Sequence, residues 1–155
     1  MGLFRRGRRR DEEADDDSLT ADVAESAGDA VETITAAPLG EPERSRIAAA
    51  LDELSSAGVD VDDLASLEAA FDAAVDRGDP SVLPLLAVGV GEHLDRHADL
   101  RWAVVTDSFG RDLGLQGSRR DLHVVPDSLL SARWMRREKG WLERTVRHLV
   151  DTSAR

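Results

Sequence analysis

From Pro42 to Val150, apolar residues recur first with a helical period, then in alternation, then with a helical period again. Ile47, Ala50, Leu51 and Leu54 share one side of a segment that Pro42 opens and Gly58 closes, which predicts an amphipathic helix. Leu64, Leu67, Phe71, Ala74 and Val75 stripe a second helix, capped by Asp60 or Asp62 and ended by Gly78, so the two read as a helical hairpin. A third helix is expected from residue 80 to about 97. Val82, Leu83, Leu85, Leu86, Ala87, Val88 and Val90 make its first half apolar nearly all round, which marks it as the central, most buried helix. Gly89 and Gly91 each cost a helix about 1 kcal/mol relative to Ala, and close approach to another backbone is the expected reason for them.

After Asp99 the period becomes two. Residues 101–106, 112–116 and 122–125 alternate, and turns through residues 107–110 and through Gly117 and Ser118 separate them, which predicts a three-stranded antiparallel meander. Gly114 inside the second strand suggests a bulge or room for a neighbouring Trp. Leu129, Leu130 and Trp134 return to helical spacing in residues 128–137, and Lys139-Gly140 interrupts them. Trp141, Leu142, Val146, Leu149 and Val150 then make a last amphipathic helix. Helices segregated from strands predict an α+β domain, in which a helical hairpin and a central helix pack on the meander and two C-terminal helices close it.

Residues 1–40 are rich first in Arg, then in Asp and Glu, then in Ala, Thr, Pro and Gly, with Phe4 their one aromatic residue. Such a segment buries too little apolar area to offset its ordering entropy, so it reads as a disordered charged tail before a single domain over 41–155. Leu19, Val23, Ala27, Ala30, Val31 and Ile34, after Ser18, are spaced for a marginal helix at most.

The formal net charge of -11 is divided unevenly. Residues 1–10 carry five Arg, residues 11–100 carry 24 acids and 4 bases, and residues 101–155 carry 11 bases and 7 acids. An acidic whole disfavours nonspecific nucleic-acid binding while leaving a basic face in the C-terminal third. Without Cys, no disulfide, thiolate metal site or Cys nucleophile is possible, and the cytoplasm is the expected compartment. Arg8, Arg9 and Arg10 and then acids follow the basic start, so it does not read as a signal peptide. Leu3-Phe4 with its arginines offers a minor lipid contact that the acids of residues 11–17 largely cancel. The longest apolar run contains Pro84 and is too short to span a bilayer.

Gly91-Glu92, Arg101-Trp102, Asp112-Leu113-Gly114-Leu115, Val124-Val125-Pro126, the run from Ala132 to Glu138 and Gly140-Trp141 occur in an order that resembles the domain of unknown function 3806, in the form met in small actinobacterial proteins. The resemblance covers roughly residues 82–150. It implies no reaction, cofactor or substrate.

Glu92, His93 and His97 share a helix face, and the i, i+4 imidazoles could chelate a metal or small ligand if His123 or Asp99 supplied a third group. The order is Glu-His-x-x-x-His rather than His-Glu-x-x-His, and imidazoles at a helix C-terminus are also simply favourable to its dipole. Glu92, Asp95, Asp99, Asp107 and Asp112 crowd one junction, where turn formation outweighs acid–base work for Asp107 and Asp112. Ser108 and Ser118 lack a nucleophile elbow, and Gly110, Gly114 and Gly117 form no phosphate cradle.

Arg133, Arg136, Arg137, Lys139, Arg144 and Arg147, interleaved with Trp134 and Trp141, could bind a single-stranded nucleic acid, although tryptophans at this spacing are more often core anchors. The expected function is a non-enzymatic accessory or protein-interaction domain that takes no cofactor and meets another protein through Arg133, Arg136, Arg137 and Lys139 beside the hairpin. An enzyme on the His93/His97 face and a single-strand binder are the alternatives.

Overall fold

The computed structural model describes residues 33–119 and 122–154. The expectations for residues 1–32, and for Arg120 and Asp121, lie outside the described residues. The elements run β1 (Thr35–Ala37), α1 (Glu41–Ser56), α2 (Leu64–Arg77), a 3-10 turn (Pro80–Val82), α3 (Leu83–His97), β2 (Leu100–Asp107), β3 (Gly110–Gly117), β4 (His123–Val124), α4 (Pro126–Met135) and α5 (Leu142–Ser153). This is an α+β arrangement with one antiparallel sheet in the order β1-β2-β3-β4. The sheet holds one strand more than the meander, because Thr35–Ala37 pairs with β2 from Thr35↔Thr106 to Ala37↔Val104. That strand comes from the segment whose composition predicts disorder, and three backbone pairs ask nothing of side-chain bulk.

Local signals set the helix ends. Glu43 Oε2 accepts from the Gly40 N–H at 2.9 Å at the start of α1, and Asp63, rather than Asp60 or Asp62, caps α2 by accepting from the Ala65 N–H at 3.0 Å. Asp60 instead shapes the preceding turn, accepting from the Asp62 N–H at 2.9 Å. Gly78, with φ 65°, supplies the left-handed residue that closes α2. Asp79 accepts from the Ser81 N–H and starts the 3-10 turn that leads into α3.

α3 is the hub, packed against every other helix and against β2 and β3. Leu86, Val90 and Leu94 are fully buried in the main core with Leu67, Phe71, Leu115, Leu130 and Trp141. A smaller cluster of Ile47, Ala50, Val88 and Leu113 seats α1. The two α3 glycines mark close approaches, but by side chains and not by another backbone. A Cβ on Gly91 would lie 2.1 Å from Trp102 Cη2, and one on Gly89 would lie 3.0 Å from both Leu54 Cδ1 and Leu67 Cδ2. Gly114 sits in an unbroken ladder opposite Ala103, so there is no bulge, and the room it leaves is taken by Val105, whose Cγ2 lies 2.5 Å from that ideal Cβ.

Candidate functional site

The C-terminal half of α3 carries a continuous hydrogen-bonded chain that joins the sheet to the α1–α2 connection. Glu92 Oε2 accepts from Trp102 Nε1 at 3.1 Å on β2, and its Oε1 accepts from Arg96 Nε at 2.9 Å one helical turn on. Arg96 Nη1 donates to Asp62 Oδ2 at 2.8 Å, and His97 Nε2 donates to Asp62 Oδ1 at 2.9 Å. His93, only 6 % exposed, donates from Nδ1 to the Val61 carbonyl at 2.8 Å, and its ring centroid lies 4.5 Å from that of His97. The bond from His97, reinforced by Arg96, holds the Asp62 carboxyl below its ordinary value. Desolvation pushes the His93 imidazole below its ordinary value, so His93 is neutral at neutral pH with Nε2 as its acceptor.

Three of the four candidate ligands, Glu92, His93 and His97, are thus brought together, and each is committed to a protein partner. His123 stands on β4 opposite Gln116. Among the described residues no three His, Cys, Asp or Glu side chains are grouped to hold a metal ion. Asp62, the residue that gathers Arg96 and His97, gives no sign of this in the sequence, since it lies 34 and 35 positions away from them.

The remaining junction carboxylates are also spoken for. Asp95 Oδ1 accepts from the Trp102 N–H at 3.0 Å, while Arg101 donates to the carbonyls of Asp95, Ala98 and Leu100, which occupies the stretch of β2 that β1 leaves uncovered. Ser118 donates to Asp99, whose N–H donates to Ser153 Oγ on α5 at 3.1 Å.

The basic residues in the last turn of α4 and after it are largely used inside the fold. Arg133 donates to both oxygens of Glu138 at 2.7 and 2.8 Å and lies 5.2 Å over the Trp141 ring. Lys139 pairs with Asp76 at 2.8 Å, Arg137 reaches the Val75 carbonyl, and the Gly140 N–H donates to Asp72, which staples the α4–α5 connection onto α2. Arg133 holds the Glu138 carboxyl low, and Asp76 holds the Lys139 ammonium high. Arg137 takes φ 51° where Gly is usual, as the Glu138 N–H returns to the Arg133 carbonyl at 3.1 Å. Arg136 is exposed, next to Met135 at 81 % exposure. Trp141, 1 % exposed, presents no face for stacking a base, while Trp134 is half-buried against Phe71. Changing Arg133, Arg136 and Arg137 together to Glu is expected to lower the melting temperature by several degrees, whereas Arg136→Glu alone leaves it unchanged; thermal denaturation followed by circular dichroism separates the two.

One feature of the β2–β3 hairpin is not readable from periodicity. Asp107 Oδ1 accepts from the Phe109 and Gly110 N–H groups at 2.8 and 3.1 Å, an Asx turn that fixes the loop. It leaves the Phe109 side chain 93 % exposed. Ile34, 42 % exposed, precedes the Thr35↔Thr106 pair at the same end of the sheet.

A family model described as a domain of unknown function (DUF3806) matches residues 63–144. The match begins at the cap of α2, so it takes in a helix that the resemblance over residues 82–150 leaves out, and it stops early in α5. No curated protein and no solved structure matches the chain.

Proposed function

The chain belongs to the DUF3806 family, whose matched span includes the whole β2–β3 hairpin, and we propose, from the hairpin itself, that it is a non-enzymatic protein-interaction domain that inserts Phe109 into an apolar socket of a partner protein. The observation that carries this reading is the 93 % exposure of a Phe on a turn held by two hydrogen bonds from Asp107. A large aromatic side chain kept in water gains free energy only when something covers it, and a fixed turn lowers the ordering cost of that event. Ile34 widens the apolar end of the sheet, and Arg136 with Met135 offers a second, smaller exposed feature that tunes encounter by charge. The polar groups of α3 act as structural ties between helix, sheet and loop. The domain works in the cytoplasm, a placement consistent with a chain that needs no disulfide. Among the described residues no helix is long and apolar enough to cross a membrane.

The test is affinity purification from the native cell with the full chain and its Phe109→Ser variant, quantified by mass spectrometry. The expected loss is roughly 30-fold or more for a specific partner, as for a central aromatic contact worth about 2 kcal/mol or above. Stability should shift by no more than about 0.5 kcal/mol, because the side chain touches little in the free protein. Equal recovery with both proteins would remove the hairpin tip from the binding surface.

A further inference from the structure

The α1–α2 connection over residues 58–63 is tied to α3 at points that all converge on two histidines and their neighbours. Val61 is seated over Gly89, its Cγ1 3.5 Å from where a Cβ would stand, beside Leu54 and Leu67. Its carbonyl accepts from His93 Nδ1 at 2.8 Å, and the adjacent Asp62 carboxylate accepts from Arg96 and His97. The far side of the connection is bonded to α1 and α2: the Val59 N–H donates to the Leu54 carbonyl at 2.9 Å and the Asp60 N–H to Ser66 Oγ at 3.0 Å. The Asp60 and Asp63 carboxylates are spent within the loop and on the α2 cap.

We propose that this connection is a pH-sensitive latch: a proton taken up by His93, wedged under Val61 and against His97, releases residues 58–63 from α3 while the remaining fold stays closed. The proposal is independent of the hairpin-tip reading.

The charged and titratable groups that bear on His93 are Arg96 and His97 on α3 and Asp62 on the connection. Burial opposes a cation at His93 most strongly, the bond to the Val61 carbonyl and the Asp62 carboxylate favour one, and His97 and Arg96 disfavour it; the net direction is toward the neutral ring, so opening is driven by hydration of the imidazole and not by loss of the Nδ1 donor. The sign follows by linkage. The closed state binds the proton more weakly than the open, hydrated state. Closure is therefore complete above the ordinary imidazole value and is lost as pH falls through the lowered value of the closed form. Opening lifts Val59 and Val61, both half-buried, from the core surface they cover. It also widens the shallow cleft between this connection, Leu51, Asp52, Ser55 and Arg96.

Hydrogen–deuterium exchange on the full chain at about pH 7.5 and about pH 5 tests the latch, with rates corrected for intrinsic chemistry. The Val59 and Asp60 amides are expected to lose protection at the lower pH, by up to about tenfold per pH unit between the ordinary imidazole value and the lowered value of the closed form, while Leu86, Val90 and Leu94 in α3 keep theirs. His93→Asn puts an amide N–H where Nδ1 stands, so it can still donate to the Val61 carbonyl but cannot titrate, and it should stay latched at both values. His97→Gln should retain the pH response. Equal protection of Val59 and Asp60 at the two pH values in the wild type, or an unchanged response in His93→Asn, would overturn the proposal. Should His93→Asn not fold, an NMR titration of the wild-type His93 ring decides the matter. Its midpoint must coincide with that of the Val61 amide shift, and separate midpoints count against the latch.

Discussion

Phe71→Ala is expected to cost the fold about 3–5 kcal/mol, the usual range for emptying a fully buried aromatic site. Phe71 has no exposed surface and lies on α2, where its ring meets Trp134 edge-on at 6.4 Å and Trp141 edge-on at 5.4 Å. Each such pair adds about 0.5–1.5 kcal/mol beyond the area it buries. The loss would also loosen the seat of α4 and α5, because Trp134 lies near the end of one and Trp141 caps the start of the other. Urea unfolding of the variant should show a midpoint far below wild type, with the melting temperature down by roughly 10–20 °C for a domain of this size. A cost below about 1 kcal/mol would mean that Phe71 is not a keystone between α2 and the C-terminal helices.

Gly91→Ala carries the next largest effect, and its sign separates two physical terms. Helix propensity alone favours the change by about 1 kcal/mol. Against this, the new methyl would lie 2.1 Å from Trp102 Cη2 and 2.4 Å from Cζ2, so the indole must swing away from α3. Overpacking of this kind costs about 1–3 kcal/mol. The swing also removes the Trp102 Nε1 bond to the Glu92 carboxylate, and a hydrogen bond to a charged group contributes about 1.5–3 kcal/mol. The balance is a net destabilisation of about 1.5–5 kcal/mol, accompanied by a red shift of Trp emission as the half-buried ring meets more water. Equilibrium unfolding of Gly91→Ala measures it, and Gly91→Ala with Trp102→Leu should recover part of the loss. A variant more stable than wild type would show that the helix–sheet spacing does not depend on the missing side chain.

How far the fold was legible depended on the range of the interaction involved. The stripe of Leu64, Leu67, Phe71 and Val75, the apolar first half of α3 and the alternation from Arg101 to Thr106 are local patterns, and each became the element that its period predicts. Spacing places the cap of α2 only to within a few residues, because Asp60, Asp62 and Asp63 stand within four positions and only the backbone path decides which carboxylate faces the Ala65 N–H. β1 has no local signal. Its pairing depends on β2 lying alongside, and Thr-Ala-Ala has neither alternation nor bulk to announce a strand.

The candidate site followed the same division. Glu92 and Arg96 form a pair that helical spacing makes visible, and the closeness of His93 to His97 follows from the same spacing. That the imidazoles serve Val61 and Asp62, and that Lys139 and Arg137 reach back to α2, could not be read from spacing, because those partners lie between 32 and 63 positions away. A run of bases has one appearance in a sequence whether it meets a partner or staples two helices.

By itself, then, the sequence determined the α+β class, the central place of α3 and a close approach at Gly89 and Gly91, though not that side chains rather than a backbone make that approach, since periodicity, caps and missing side chains act over a few residues of chain. The tertiary structure alone decided the fourth strand, the binding of the α1–α2 connection to His93 and His97, the internal use of the basic corner and the exposure of Phe109. Those depend on which distant groups the packing brings within hydrogen-bond reach and which side chains it leaves in water.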